Sequence, residues 1–177
     1  MNVFILNTGR CGSTTFIRAC QHITNFSALH ESRSGVIGSE RLNYPHDHIE
    51  ADNRLSWLLG RLDKEYGDNA FYVHLSRDRE QTAESFARRA EFGIMQAYRE
   101  GILLELQATP TAHVVALDYL DTVEANIEHF LKDKSMRMPF QLEHAKEDFT
   151  SFWLQIGAEG DLEAALAEWE TCHNASN

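Results

Sequence analysis

The strongest constraint on the fold of this chain lies in residues 3–17, where an apolar run leads through a glycine turn into a helical pattern. The apolar run, residues 3–6, is short enough to be a buried strand, and the turn contains Gly9 and Gly12. Three hydroxyl residues follow Gly12, and apolar residues then recur at helical spacing. This order is typical of a phosphate-binding loop, because glycines let the backbone approach an anion and the N-terminus of a helix attracts one.

The candidate anion-binding residues lie between the strand and the first helical turn: Gly9, Arg10, Cys11, Gly12, Ser13, Thr14 and Thr15. Arg10 supplies a cation, and the hydroxyl groups supply hydrogen-bond donors. The loop differs from the standard nucleoside triphosphate loop, because Ser13 follows Gly12 where that loop has lysine. Six residues separate Cys11 from Arg18, one too many for cysteine phosphatase chemistry, so we expect Cys11 to be a small packing residue.

Length and charge limit the classes of function. A chain of 177 residues predicts a single domain over 1–177 with a substantial core. The formal net charge of -11 argues against nucleic acid or an anionic membrane surface as partner, but it allows a local basic pocket. Cys11, Cys20 and Cys172 are too scattered for a disulfide framework, and the sequence has neither a signal-peptide pattern nor a membrane-spanning run, so we predict a cytoplasmic protein.

The remaining chain alternates short apolar runs with helical patterns. Strands are predicted at 26–30, 71–75 and 114–117, a long polar loop at 31–48, and helices at 13–23, 51–66, 80–107, 122–132, 141–153 and 161–172. We expect Gly93 and Gly101 to bend or split the helix over 80–107. The alternation predicts an α/β fold with three layers, a parallel sheet flanked by helices. The polar residues at 8–14, 30–33 and 77–78 should then converge on the carboxyl edge of the sheet.

Two motifs carry a resemblance to a known family. Residues 9–14 resemble the 5′-phosphosulfate loop of sulfotransferases that use 3′-phosphoadenosine 5′-phosphosulfate (PAPS), with Cys11 in place of the usual serine. The strand ending in Arg77-Asp78-Arg79 is similar to the family's strand ending in Arg-Asp-Pro, and Ser85 stands at the family's spacing of eight residues after Arg77. The resemblance implies that Arg77 and Ser85 hold the 3′-phosphate. Weaker similarities cover residues 114–120 with the helix after them, and residues 157–162, which lack the family's cation and tryptophan.

The resemblance implies a P-loop NTPase-like sulfotransferase fold and transfer of a sulfuryl group from PAPS to a hydroxyl or amine of a small-molecule or saccharide acceptor, without a metal. Arg10 and the N–H groups of the loop would stabilise charge on the leaving phosphate. The family's base is a Glu or His near the end of the second strand, where His30 and Glu31 stand. Neighbours in a strand point to opposite sides, so we expect one of them to reach the site, and we favour Glu31.

Two alternatives stay open. A kinase-type P-loop enzyme using ATP and magnesium would explain an apolar strand at 114–117 ending in Asp118, but it lacks the loop lysine and leaves the pairing of Arg77 with Ser85 unexplained. A non-catalytic nucleotide-binding relative would explain why Cys11, Arg79 and the segment 157–161 differ from the family pattern. A salt bridge to Asp78 or Glu80 is the purely structural alternative for Arg77.

Overall fold

Five parallel strands form the central sheet in the computed structural model of the protein, which describes residues 1–104 and 110–170. The strands are β1 (Asn2–Asn7), β2 (Ser27–His30), β3 (His48–Ala51), β4 (Ala70–Ser76) and β5 (Arg137–Gln141). Their order across the sheet is β2-β3-β1-β4-β5, and each adjacent pair is parallel. β1 is central and buried along its whole length, so the loop after it opens at the middle of the carboxyl edge.

Helices cover both faces of the sheet. They are α1 (Ser13–Cys20), α2 (Leu59–Tyr66), α3 (Arg79–Ala87), α4 (Gly93–Ala97), α5 (Ala112–Leu131), α6 (Ala145–Ile156) and α7 (Leu162–Ala167). One hydrophobic core joins the sheet to α1, α6 and α7, and a second joins it to α2, α3, α4 and α5. The predicted three-layer α/β fold is confirmed. Shorter helical segments are the 3-10 turns Ser39–Arg41, Asn53–Trp57, Leu142–His144 and Glu168–Glu170 and the π-helical turn Tyr98–Ile102.

The predicted strand at 114–117 is wrong, because these residues lie in the first turns of α5. Thr111 caps that helix by accepting a hydrogen bond from the N–H of Val114. Buried side chains then recur at helical spacing as far as Leu131, and this continuous amphipathic face outweighs the β propensity of two adjacent valines. The family similarity proposed for residues 114–120, which required a strand there, is therefore not present in the structure.

Two strands were absent from the prediction, and both have unusual composition. β3 contains His48 and Glu50, yet both side chains are buried, because each has a hydrogen-bonding partner inside the protein. The predicted helix over 51–66 accordingly begins only at Leu59. β5 contains Pro139, which the sheet accommodates because β5 is an edge strand.

The predicted helix over 80–107 is divided in the structure. α3 ends at Ala87, and α4 begins at Gly93, whose φ is 56°. The predicted split is therefore confirmed at Gly93, while Gly101 lies inside the π-helical turn. Residues 105–107 of that predicted helix and residues 171–172 of the last one, including Cys172, lie outside the described residues. In residues 1–104 and 110–170, no helix is both long and apolar enough to cross a lipid bilayer.

Candidate functional site

A cleft of about 800 Å³ lies over the carboxyl edge of the sheet. The residues that follow β1, β2 and β4 meet there, because parallel strands end on the same side. The predicted site residues that line the cleft are Gly9, Arg10, Gly12, Ser13, Thr14, Thr15, His30, Glu31, Arg77 and Ser85. The structure thus brings together three polar clusters that are far apart in the sequence.

The loop between β1 and α1 has three left-handed residues, Gly9 at φ 93°, Arg10 at 60° and Gly12 at 91°. A Cβ on Gly9 would lie 3.1 Å from Asn53 Nδ2 and 3.2 Å from Phe86 Cζ, so glycine lets neighbouring elements close around the loop. Arg10 adopts the same region at a cost that such sites tolerate when the conformation has a function. Turns in which successive backbone N–H groups point to the same side form concavities that bind anions.

Cys11 lies beneath this loop rather than in the cleft. Its side chain is fully buried, and its Sγ lies 3.6 Å from Asn7 Oδ1. Burial raises the pKa of the Cys11 thiol to about 12. The protonated thiol therefore packs against the core as expected, and Cys11 can contact an anion in the cleft only through its backbone.

Arg10 and Ser85 connect the two sequence motifs directly. Arg10 Nε donates a hydrogen bond to Ser85 Oγ at 2.9 Å, across 75 positions of sequence. Arg77 contacts the same loop, because its Nη1 donates to the Arg10 carbonyl at 3.4 Å, while its Nη2 donates to Gln81 Oε1 at 2.8 Å. Asp78, a candidate salt-bridge partner for Arg77, instead caps α3 by accepting from the Gln81 N–H. The two motifs form one continuous polar surface.

His30 and Glu31 both line the cleft, so the expectation that only one would reach it is wrong. Glu31 has a left-handed φ of 52°, which ends the alternation of the strand just before this residue. His30 Nε2 lies 3.0 Å from Ser13 Oγ, in hydrogen-bonding distance of the phosphate-loop motif. Glu31 Oε2 lies 3.0 Å from Arg54 Nη1, and Arg54 also contacts Asp52 Oδ1 at 3.3 Å.

Several cleft residues are missing from the sequence-based prediction. Asn53 and Arg54 follow β3, a strand that the hydrophobic pattern did not reveal. Arg88 and Arg89 lie three and four positions after Ser85, and this helical spacing could have identified them once Ser85 was chosen. The remaining wall residues are Phe86, Phe92, Gly93, Ile94, Met95, Leu142, Ala145, Trp169 and Glu170.

The comparisons with known proteins concern the fold. No protein-family model matches the chain, and no curated protein matches it. Among solved structures, the chain is similar to mouse sulfotransferase SULT7A1 complexed with PAP, with a TM-score of 0.58 and 14% sequence identity over 95% of this chain. The chain has the sulfotransferase fold. It spans 62% of the length of that mouse protein.

Within this sulfotransferase fold, the segment 157–162 lies away from the cleft. Its backbone pairs with the turn between α1 and β2, where Thr24 N donates to the Glu159 carbonyl at 2.7 Å and Asp161 N donates to the His22 carbonyl at 3.1 Å. That turn is at the amino edge of the sheet, because β2 begins after it. The similarity proposed for this segment is therefore corrected, since Asp161 caps α7 and the segment contacts His22–Asn25 at the opposite edge from the phosphate loop.

The position of Asp118 removes the support that this residue gave to a kinase-type enzyme. Asp118 lies on α5 and not at the end of a strand. Its Oδ2 accepts a hydrogen bond of 2.6 Å from the Tyr98 hydroxyl, which in turn lies 3.1 Å from Thr122 Oγ1. Asp118 therefore joins α5 to the π-helical turn and has a structural partner.

Proposed function

We propose that this protein is a sulfotransferase that moves a sulfuryl group from PAPS to a hydroxyl or amine of a small-molecule or saccharide acceptor. The observation that carries this proposal is the hydrogen bond from Arg10 to Ser85, which joins the phosphosulfate-loop motif to the 3′-phosphate motif in one cleft. A single ligand with phosphate groups at both the 5′ and 3′ positions would contact both motifs. The PAP in the structurally similar mouse sulfotransferase has this chemistry.

The charges of the cleft fit such a ligand. The arginines that line it are Arg10, Arg54, Arg77, Arg88 and Arg89, in a protein whose formal net charge is -11. Guanidinium groups bind phosphate oxygens with two parallel hydrogen bonds, which favours them over lysine for this task. We assign the 5′-phosphosulfate to Gly9, Arg10 and the first turn of α1, and the 3′-phosphate to Arg77 and Ser85.

The transfer step then follows from the residues around the cleft. The acceptor oxygen or nitrogen attacks the sulfur, the bond from sulfur to the 5′-phosphate oxygen breaks, and PAP leaves with the bonding electrons. Arg10 and the loop N–H groups stabilise the charge that develops on this phosphate oxygen. The acceptor proton passes to Glu31, which lines the cleft and which we favour as base over the neighbouring His30. Arg54 holds the Glu31 carboxylate at the cleft.

Calorimetric titration with PAP tests the nucleotide site. We expect PAP to bind without magnesium, and Arg77→Ala to weaken it about tenfold or more, because a hydrogen bond to a charged group contributes roughly 1.5–3 kcal/mol. The control is Arg79→Ala. Arg79 lies two positions after Arg77, at the start of α3, but it pairs with Asp121 on the surface. Binding of ATP with magnesium in place of PAP would contradict the proposal and favour the kinase-type alternative.

A second measurement tests the base. PAP release from PAPS is followed with a panel of phenols, alcohols and saccharides for wild type, Glu31→Gln and His30→Gln. We expect Glu31→Gln to bind PAP normally and to lose about 10²- to 10⁴-fold in turnover, the range for a general base. The same loss in His30→Gln alone would assign the proton transfer to His30. Tight PAP binding by a wild type without turnover would favour the non-catalytic alternative. The single domain over 1–177 and the cytoplasmic location stay predictions.

A further inference from the structure

We propose that Glu50, a carboxylate buried in β3, is a positioning residue that fixes Glu31 at the cleft. This inference rests on the proposed function and deepens it, because it names a residue outside the cleft on which the base depends. Glu50 is fully buried and is not one of the residues that line the cleft, so it acts on the reaction only through the residues that it holds. It reaches Glu31 through Ser32, the next residue along the chain.

The backbone at Glu31 depends on contacts with its surroundings. Glu31 follows β2, which is an edge strand, and it has a left-handed φ of 52°. A residue other than glycine keeps this conformation only where neighbouring contacts impose it. One such contact is made by the N–H of Glu31, which donates to the Ala51 carbonyl at 2.9 Å. That hydrogen bond fixes the peptide before Glu31, and a second partner is required to fix the peptide after it.

Glu50 supplies the second partner. Its Oε1 accepts a hydrogen bond of 2.7 Å from the N–H of Ser32, and its Oε2 accepts one of 2.6 Å from the Ser32 hydroxyl. Because a carboxylate only accepts hydrogen bonds, His48 Nε2 donates a third bond to Oε2 at 2.9 Å, and Ser27 Oγ lies 2.8 Å from His48 Nδ1. The peptide between Glu31 and Ser32 is thus held by β3, an inner strand of the sheet.

A second buried carboxylate supports the same assignment from the other side. Asp52 is fully buried and accepts hydrogen bonds from the N–H of Arg54 at 2.9 Å and from Arg54 Nη1 at 3.3 Å. The same Nη1 lies 3.0 Å from Glu31 Oε2. Asp52 therefore orients the side chain of Glu31 through Arg54, while Glu50 holds the backbone beside it.

Packing alone does not account for a carboxylate at position 50. β3 is buried along its whole length, and burying a carboxylate costs free energy that an apolar side chain of similar size would not. The hydrogen bonds of Glu50 offset this cost, and what they add is a fixed geometry at Ser32 and Glu31. A base must lie within hydrogen-bonding reach of the proton that it accepts, so a displacement of about 1 Å can lower the rate up to about 100-fold.

A pair of variants at one position tests this role. Glu50→Leu fills similar space without an acceptor, whereas Glu50→Gln also loses the charge but keeps an amide oxygen that can accept from the Ser32 N–H. PAP release from PAPS is measured with the phenol, alcohol or saccharide that wild type uses best. We expect Glu50→Leu to lower kcat about 10- to 100-fold, with PAP affinity and acceptor KM within about threefold of wild type, and Glu50→Gln to recover most of the loss.

Two further variants show whether the effect passes through Glu31. When Glu31→Gln is already present, Glu50→Leu should change kcat by less than about threefold, because the group that it positions is gone. Ile49→Ala is the control for stability, since Ile49 is the neighbour of Glu50 in β3 and packs into the core that contains α1. It should unfold at a lower urea concentration but keep kcat within about twofold of wild type wherever it is folded.

The outcomes separate this inference from the function on which it rests. A wild type that does not bind PAP, or that binds it without turnover, overturns the base assignment and this inference together. If wild type turns over and Glu50→Leu has the same kcat, only the inference is overturned. An equal loss of kcat with and without the Glu31 carboxylate also overturns it, since Glu50 would then act on the fold as a whole.

Ser32→Ala keeps the test decisive if Glu50→Leu does not fold. This variant leaves the buried carboxylate in place and removes only the hydrogen bond from the Ser32 hydroxyl to Glu50 Oε2. We expect it to lower kcat about 3- to 10-fold and to leave PAP affinity unchanged, because the N–H of Ser32 still donates to Oε1. An unchanged kcat in Ser32→Ala would overturn the inference in that case.

Discussion

Two glycine turns of this molecule look alike in sequence and lie at opposite edges of the sheet. The loop at 9–12 and the turn at 157–160 each have two glycines with positive φ, and each was matched to a phosphate-binding segment. The first follows the central strand at the carboxyl edge of the sheet and contacts Ser85 through Arg10. The second follows α6 and pairs with the turn after α1 at the amino edge. Glycine spacing therefore predicts a backbone conformation, whereas the edge of the sheet at which the turn lies determines whether the turn faces the cleft.

The two turns also require glycine for different physical reasons. A Cβ on Gly160 would lie 2.1 Å from the backbone oxygen of His22, which belongs to a paired segment and cannot move without breaking that pairing. A Cβ on Gly12 would lie 2.7 Å from Leu142 Cδ1, the end of a flexible side chain. Gly160 is thus required by packing, and Gly12 is required mainly by its φ of 91° and by the cleft that it faces.

The largest expected effect is therefore on folding, at Gly160. In Gly160→Ala the new Cβ would clash with the backbone of His22, and alanine would have to adopt a φ of 137°. We expect these two effects to lower the free energy of unfolding by about 3 kcal/mol or more. Urea denaturation measures this change, and calorimetry at low temperature measures PAP affinity in the fraction that folds. We expect that affinity to be close to that of wild type. If the folded variant binds PAP more than about tenfold more weakly than wild type, the turn at 157–160 contributes to the nucleotide site and this prediction is wrong.

The second prediction concerns Gly12, where we expect a larger effect on PAP affinity than on folding stability. Gly12→Ala should lower the free energy of unfolding by only about 1–2 kcal/mol, the cost of a left-handed alanine, but should weaken PAP about tenfold or more because the loop backbone changes shape. Gly35→Ala is the matched control, since a Cβ there would meet open space, and it should be neutral for both properties. If Gly12→Ala binds PAP with the affinity of wild type, the conformation of this loop is not needed for nucleotide binding and the prediction is wrong.

The parts of the fold that could be predicted are those whose signals are contiguous. β1, the loop and α1 follow one another within 20 residues, so hydrophobic pattern, glycines and hydroxyls identify them together. β3 could not be found in this way, because its burial depends on distant partners. Glu50 accepts hydrogen bonds from the N–H and hydroxyl of Ser32 and contacts His48 Nε2 at 2.9 Å. In sequence these residues are polar, and only the assembled structure satisfies them.

The same distinction applies to the cleft. Arg10, Arg77 and Ser85 occur in motifs with fixed local spacing, and the structure brings them together. Arg54 has no such motif, because its position depends on β3 and on its ion pairs with Glu31 and Asp52. The valines at the start of α5 show the opposite error, in which a strong local signal is overruled by the helix that continues after it. Local spacing therefore identified the side of the cleft that contains Arg10, Arg77 and Ser85 better than the side where Glu31 and Arg54 lie.

The smallest expected effect concerns Cys11, whose backbone belongs to the first glycine turn and whose side chain does not face the cleft. Because the pKa of its thiol is raised from 9.0 to about 12, the thiolate fraction at pH 8 is about 10⁻⁴, and alkylation of the native protein should be very slow. Cys20 is an internal comparison, since burial also raises the pKa of its thiol. Iodoacetamide labelling followed by peptide mass spectrometry should show both residues reacting only in urea.

The same raised pKa fixes the sign of a pH effect. In the unfolded chain the Cys11 thiol ionises near pH 9.0, whereas in the folded protein it stays protonated until about pH 12. The unfolded state therefore binds fewer protons than the folded state above pH 9, and stability should fall as the pH rises through this range. Cys11→Ala should flatten that fall relative to wild type. If Cys11 is labelled rapidly in the native protein and PAP suppresses this labelling, its thiol lies in the cleft. The side chain of Cys11 would then face the same ligand as the loop backbone, which contradicts the prediction.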